Sequence, residues 1–197
     1  MLAIRSIRCA GVVALALSAS CGLFETGDPQ GPDIPIQDCR PLTSTAFATL
    51  NVEDAYGRNE LATCYTSMLD TTFVFHPDAQ DSLQNPDPFA GWDEQVETGH
   101  NSRIATLQTF LVVDFKVEYQ APIISPDFNT EIRFYEYELR VALSSAPDTA
   151  RYTGFADITF RRGTDGQWRI IDWADHRGMV SDSTWGLLRS NNRSGTP

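Results

Sequence analysis

The chain has 197 residues, of which 42% are hydrophobic and 11% aromatic, and this length and composition predict one domain with a substantial core. Its 26 acidic residues outnumber its 15 basic ones, which gives a formal net charge of −11. Because nucleic acids and anionic membranes attract positively charged surfaces, this charge argues against binding to either by bulk electrostatics.

The N-terminus has the pattern of a secretory signal. Arg5 and Arg8 are followed by a run of small and apolar residues over positions 10–19. That run is shorter than the roughly 20 residues that a permanent transmembrane helix needs, and it matches the apolar region of a signal peptide. We therefore expect a signal peptide over residues 1–20 and an exported protein.

The residues around Cys21 favour a lipid anchor. Residues 17–21, Leu-Ser-Ala-Ser-Cys, resemble the lipobox of bacterial lipoproteins, although Ser18 stands where that pattern has leucine. Ser18 and Ser20 also form the small pair that ordinary signal peptidase prefers, so a freely secreted protein is the alternative. We expect lipidation at Cys21, a flexible tether through residue 42, and a place at the outer membrane, since Gly22 follows the cysteine.

The elements after the tether alternate between helical and strand patterns, and the turn Gly163-Thr164-Asp165-Gly166 favours a hairpin. Long strands that follow helices predict an α+β domain. We expect this domain to be a curved antiparallel sheet with three helices packed on its concave face. We place this domain at residues 43–189 and a disordered tail at 190–197. The predicted helices cover residues 43–56, 59–69 and 90–106, and the predicted strands cover 71–76, 108–120, 131–143, 151–162 and 167–175.

Two cysteines remain in the mature domain. Export permits a disulfide between Cys39 and Cys64, which would join the end of the tether to the first helices. In the alternative, Cys64 is a small buried apolar residue and Cys39 is free.

The order of elements resembles the NTF2-like superfamily, the cone fold of nuclear transport factor 2, ketosteroid isomerase and SnoaL-type cyclases. The segments at residues 50–59, 168–175 and 183–188 resemble uncharacterised bacterial lipoproteins of that superfamily. The resemblance implies a hollow cone and, in many members, pairing through the outer sheet face. Because the superfamily uses its cone for enzymes and for structural domains, the resemblance implies no particular chemistry.

Four residues are candidates for the lining of the cone: Tyr65, Trp92, His100 and Asp172. Trp92 and His100 share a predicted helix stripe, and Asp172 follows Trp168 on one face of the last strand. An inward carboxylate without a donor would have a raised pKa, as an acid–base catalyst needs. The alternatives are a core histidine at position 100 and a hydrated Asp172 at the rim.

The sequence lacks the zinc motifs CxxC and HExxH and the nucleotide-binding motifs GxGxxG and GxxxxGK. We therefore expect no metal site and no cofactor. Our first interpretation is a non-catalytic envelope lipoprotein that binds a small apolar ligand or a protein partner. A small periplasmic lyase or isomerase, using acid–base chemistry in the cone, is one alternative. A homodimeric scaffold is the other. We expect Phe73, Phe75, Phe110 and Trp168 in the core.

Overall fold

The computed structural model describes residues 38–193, and these form five helices and five strands with two short 3-10 turns. The helices are α1 (Thr45–Ala55), α2 (Ala62–Met68), α3 (Ala79–Gln84), α4 (Glu94–Leu107) and α5 (Trp185–Asn191). The strands are β1 (Leu69–His76), β2 (Gln108–Ile124), β3 (Thr130–Leu143), β4 (Ala146–Arg162) and β5 (Trp168–His176). The mixed α+β class is the one that the sequence predicts.

Side-chain caps set where the two long helices begin. The Ser44 hydroxyl accepts a hydrogen bond from the backbone N–H of Phe47 at the start of α1, and the Asp93 carboxylate accepts one from Val96 at the start of α4. Each cap satisfies one of the N–H groups that a first helical turn leaves unpaired. α1 therefore begins close to its predicted start, whereas α4 begins at Glu94 instead of the predicted residue 90, which leaves Trp92 outside the helix.

The five strands form one curved, unclosed sheet in the order β1-β5-β4-β3-β2. Three of its four pairings are antiparallel, but β1 pairs with β5 in parallel, so the expectation of a purely antiparallel sheet is wrong at that edge. A parallel pair needs a long connection rather than a hairpin, and here β2, β3 and β4 all lie between the two strands in the chain. The sheet is therefore mixed.

The core lies between the helices and the inner face of the sheet. Phe73, Phe75 and Trp168 are buried there, as predicted. Phe110 is not, because Leu111 on the neighbouring position of β2 takes the inward face and leaves Phe110 44% exposed on the other. The prediction for Phe110 was wrong because alternation defines two faces without saying which of them is buried.

The folded region extends beyond the predicted bounds at both ends. Cys39 and Cys64 are joined by a disulfide, and the Asn51 side chain bonds both backbone groups of Arg40. At the other end α5 continues to Asn191, and the guanidinium of Arg193 donates to backbone carbonyls of residues 87, 88 and 90. A disordered tail from residue 190 is therefore wrong for residues 190–193.

The predicted signal peptide, Cys21 and most of the predicted tether lie outside the described residues, as does the end of the tail from residue 194. Within residues 38–193, no helix combines the length and the apolar character that crossing a membrane requires.

Candidate functional site

Three of the four candidate residues meet inside the domain, around a carboxylate that the sequence analysis did not single out. Tyr65 on α2 donates its hydroxyl proton to one oxygen of Glu97, and the indole N–H of Trp92 donates to the other oxygen at 2.7 Å. His100 lies one turn further along α4 and packs against Trp92 with ring centroids 5.7 Å apart. Glu97 is therefore the centre of the polar cluster in the interior.

Arg189 on α5 completes this cluster. Its Nη2 and Nε donate to the two oxygens of Glu97 at 2.9 and 3.0 Å, and both side chains are fully buried. Burial raises the pKa of Glu97 more than any single other effect lowers it, but the charge of Arg189 and the hydrogen bonds from Arg189 and Tyr65 together hold that pKa at about 2. Glu97 is therefore ionised and cannot serve as a general acid at neutral pH.

Aromatic rings surround the guanidinium of Arg189. Its Cζ lies 4.2 Å from the ring centroid of Phe75, 4.5 Å from that of Trp173 and 5.0 Å from that of Trp185. Cations over aromatic faces are attracted by the ring quadrupole, most strongly where water is excluded. The cation is thus held by one carboxylate and by rings from β1, β5 and α5.

His100 makes a second buried pair, with Tyr56. The Tyr56 hydroxyl lies 2.6 Å from Nε2 of His100, and Nδ1 lies 3.3 Å from the backbone oxygen of Asn192. A carbonyl only accepts, so Nδ1 carries the proton and Nε2 accepts from Tyr56. Burial lowers the pKa of His100 to about 4, so the imidazole is neutral and both of its nitrogens are occupied.

Asp172 does not join the cluster. It is partly exposed, and Oδ2 of its carboxylate lies 2.8 Å from Nε2 of His76. The reason is a bulge in β5: Asp172 pairs with Thr159, yet the next pair along β4 joins Phe160 to Ile170, which leaves Ile171 extra. An extra residue reverses the alternation, so the prediction of an inward Asp172 was wrong.

The same bulge turns Asp175 inward, where it holds the start of α5. Its carboxylate accepts from the Tyr137 hydroxyl at 2.6 Å and from the backbone N–H of Gly186 at 2.6 Å. The backbone N–H of Trp185 donates in turn to the Tyr137 oxygen at 2.8 Å. Burial raises the pKa of Asp175 to about 6 against the opposing effect of these donors.

The polar side chains of the interior are therefore hydrogen-bonded to one another. Tyr65 and His100 are wholly buried and Trp92 is 2% exposed, so these predicted pocket walls form part of the packed core. Each oxygen of Glu97 and Asp175 already accepts at least one hydrogen bond. Within residues 38–193, the carboxylates of Glu97 and Asp175 and both nitrogens of His100 are therefore already engaged by partners of the protein itself.

The shifted pKa values of His100 and Asp175 should change the free energy of unfolding with pH in opposite directions and by similar amounts. Folding lowers the pKa of His100 from 6.5 to about 4, so its contribution to stability is lost as pH falls through that window. Folding raises the pKa of Asp175 from 3.8 to about 6, so its contribution is lost as pH rises. Each effect amounts to about 3 kcal/mol, and in the unmodified protein the two largely cancel.

Urea unfolding between pH 4 and 6.5 separates these two groups. Relative to the unmodified protein, Asp175→Asn should become less destabilised as pH rises, and His100→Gln should become more destabilised. Parallel pH profiles for both variants and the unmodified protein would show that neither side chain is buried as described.

The sequence pattern could have indicated the burial of Glu97, but it gave almost no indication that Arg189 is buried. Glu97, His100, Asn101 and Ile104 are all buried on one face of α4, so the inward stripe passes through Glu97 rather than Val96. An acidic residue within an apolar stripe indicates a buried partner. For Arg189, only its position after the apolar run Trp185-Gly186-Leu187-Leu188 could have suggested a buried helix.

The outer face of the sheet carries apolar side chains that the core does not use. Tyr135 and Tyr137 on β3 point into the core, so Glu136 between them points to the outer face. Val117 on β2 and Phe155 on β4 pair with Glu136 and therefore lie on the same outer face. Tyr119 packs its ring against Phe134 and Phe155. We call Val117, Tyr119, Ile123, Phe134 and Phe155 the outer-face patch.

Val117 and Ile123 in the outer-face patch are each about half exposed, at 52% and 51%. Beside them lies an open cavity of about 350 Å³, lined by Lys116, Arg151, Phe155 and Met179 among others. Among residues 38–193, no three histidine, cysteine or acidic side chains are grouped so that they could hold a metal ion.

Solved structures of other proteins share this fold. A conserved protein from Planctomyces limnophilus is 13% identical with a TM-score of 0.52, over 66% of this chain and 89% of that one. A "putative scytalone dehydratase" from Novosphingobium aromaticivorans is 8% identical with a TM-score of 0.55, over 70% and 87%. A hexachlorocyclohexane dehydrochlorinase, LinA type 2, is 6% identical with a TM-score of 0.51, over 70% and 85%.

At these identities the likeness shows the fold alone, which is the NTF2-like fold predicted from the sequence. No protein-family model and no curated protein matches the sequence.

Proposed function

We propose that the chain is an exported envelope lipoprotein whose NTF2-like domain binds a protein partner through the outer-face patch. The observation that carries this proposal is the saturation of the interior. Glu97 is held by Arg189, Tyr65 and Trp92, and these groups are buried. A cone filled in this way favours a binding domain over an enzyme with an open site, and a protein partner over a small apolar ligand.

The outer-face patch supports the choice of a protein. Exposed apolar side chains that cluster on one surface mark protein interaction sites more often than single exposed ones do. Val117, Tyr119 and Ile123 lie along β2, at the edge of the sheet, and half-buried Phe155 continues the patch onto β4. Polar side chains border it, among them Lys116, which pairs with Glu138. An apolar centre with a charged rim is the usual anatomy of such interfaces.

Export and anchoring rest on the N-terminal sequence. The signal pattern of residues 1–20 and the cysteine at position 21 support cleavage and lipidation there. The disulfide between Cys39 and Cys64 agrees with an oxidising compartment. The lipid would place the domain at the membrane, with the tether between the two.

Photo-crosslinking in cells that export the protein tests this function. A photoreactive residue at Val117 or Ile123 should give a crosslinked product in the membrane fraction, whereas one at Leu83, an 83% exposed side chain on α3, should not. Ile123→Lys should abolish the product formed from position 117. Cys21→Ala should move the protein to the soluble fraction.

The mass of the product identifies the partner. A product of twice the chain mass would indicate a second copy, the homodimeric scaffold that the sequence resemblance suggests. No product from either patch position, or an equal product from position 83, would contradict binding through this face.

An acid–base enzyme is the second candidate, and the buried Tyr56–His100 pair favours it. Structural neighbours named as a dehydratase and a dehydrochlorinase share the fold. In the closed arrangement, however, Nε2 of His100 already accepts a hydrogen bond from Tyr56, so catalysis would require this hydrogen bond to open. The binding domain needs no such change.

A further inference from the structure

The guanidinium of Arg189 is held as a ligand is held in a binding site. The groups around it that belong to the body of the domain are Glu97 on α4, Phe75 on β1 and Trp173 on β5. We call these three residues the cation cage. Arg189 itself comes from α5, a helix of seven residues near the C-terminus. The cage and the cation therefore belong to separate parts of the fold.

We propose that the cation cage is a binding site for an alkylguanidinium or alkylammonium group, and that Arg189 fills it as an intramolecular substitute for that ligand. One carboxylate with aromatic walls is the arrangement that recognises such cations. This inference goes beyond the outer-face function and does not rest on it.

The charge of the cage requires a cation. Glu97 is fully buried, and an ionised carboxylate without a partner costs several kcal/mol in such surroundings. If α5 withdraws, Glu97 loses its hydrogen bonds from Arg189 but keeps those from Tyr65 and Trp92. A ligand that replaces Arg189 must therefore carry a positive charge.

The fit of Arg189 indicates which cations the cage accepts. Nη2 and Nε of Arg189 donate to Glu97, but Nη1 is buried and has no hydrogen-bond partner among residues 38–193. A ligand that carries an alkyl group in place of the Nη1 protons would lose no hydrogen bond there. Alkylated guanidinium groups therefore keep both donors to Glu97, and an alkylammonium group keeps the charge but not the two-nitrogen geometry.

Displacement of α5 is physically reasonable because a helix of seven residues depends on its tertiary contacts. Its first turn is held by Tyr137 and Asp175, and its last residues are held through His100. Because Arg189 competes from within the same chain, a ligand must either bind tightly or meet a chain in which the cage is empty.

Chemical rescue of Arg189→Ala tests the cage in the full chain. Ethylguanidinium chloride at 0–20 mM should raise the melting temperature of this variant in a saturable manner, by about 4 °C at tenfold the dissociation constant. Sodium chloride at equal ionic strength is the reference. The double variant Glu97→Gln/Arg189→Ala should show no saturable rise, because it lacks the carboxylate that binds the cation.

Refolding keeps the test decisive if Arg189→Ala does not fold by itself. The variant would then be refolded from urea with and without ethylguanidinium, and ligand-dependent recovery of near-UV circular dichroism would support the cage. Arg189→Lys, which keeps a cation on α5, should fold without the ligand. No saturable stabilisation and no ligand-dependent refolding of Arg189→Ala, or an equal effect in the Glu97→Gln double variant, would overturn the proposal.

Discussion

Replacing Arg189 by methionine should lower the free energy of unfolding by about 3–5 kcal/mol, because it leaves the carboxylate of Glu97 buried without a cation. Methionine retains most of the apolar volume of the arginine stem, so the loss reports the charge rather than a cavity. Urea unfolding at pH 7, followed by circular dichroism, measures the change.

Two further variants show whether the loss of stability comes from a buried ion pair or from an ordinary surface salt bridge. Arg169→Met removes an ion pair with Asp165 at the surface and should cost less than about 1 kcal/mol. The double variant Glu97→Met/Arg189→Met removes both buried charges and should recover a large part of the loss. A single Arg189→Met variant as stable as the unmodified protein would show that Glu97 is not buried with it.

Replacing Trp168 by alanine should cost about 3–5 kcal/mol, since Trp168 is 9% exposed and lies on the inner face of β5. Phe110→Ala is the matched control, an aromatic truncation on the outward face of β2, and it should cost less than about 1 kcal/mol. Thermal and urea unfolding of the two variants, under the same conditions, give the comparison.

The reverse order of the two effects would contradict the assignment of the inner face. A loss of more than 3 kcal/mol in Phe110→Ala, with an unchanged Trp168→Ala, would mean that the helices cover the other side of the sheet.

Local patterns in the sequence predict the five strands and three of the five helices in their order, but they miss α3 and α5. The alternation along β3 and the turn at residues 163–166 are properties of neighbouring residues, so the hairpin of β4 and β5 appears where the sequence places it. The bulge at Ile171 is different, because it depends on how β5 fits against β4. Without it, alternation assigns the inward position to Asp172 instead of Asp175.

The cluster around Glu97 was predictable only in part. Tyr65 and His100 lie on helices that the sequence predicts, Trp92 lies just before α4, and the structure brings the three together. Arg189 contacts Glu97 across 92 positions of the chain, and no local pattern predicts such a contact. A buried ion pair depends on both partners being present, so neither Glu97 nor Arg189 could be assigned alone.

The burial of Arg189 beside Glu97 is the central claim, and NMR observation of the arginine side chain tests it most directly. We expect a slowly exchanging arginine Nε–H signal at neutral pH with contacts to the ring protons of Phe75 and Trp173, and we expect this signal to be absent from Arg189→Lys. A spectrum in which every arginine Nε–H exchanges rapidly, with no ring contacts, would contradict it.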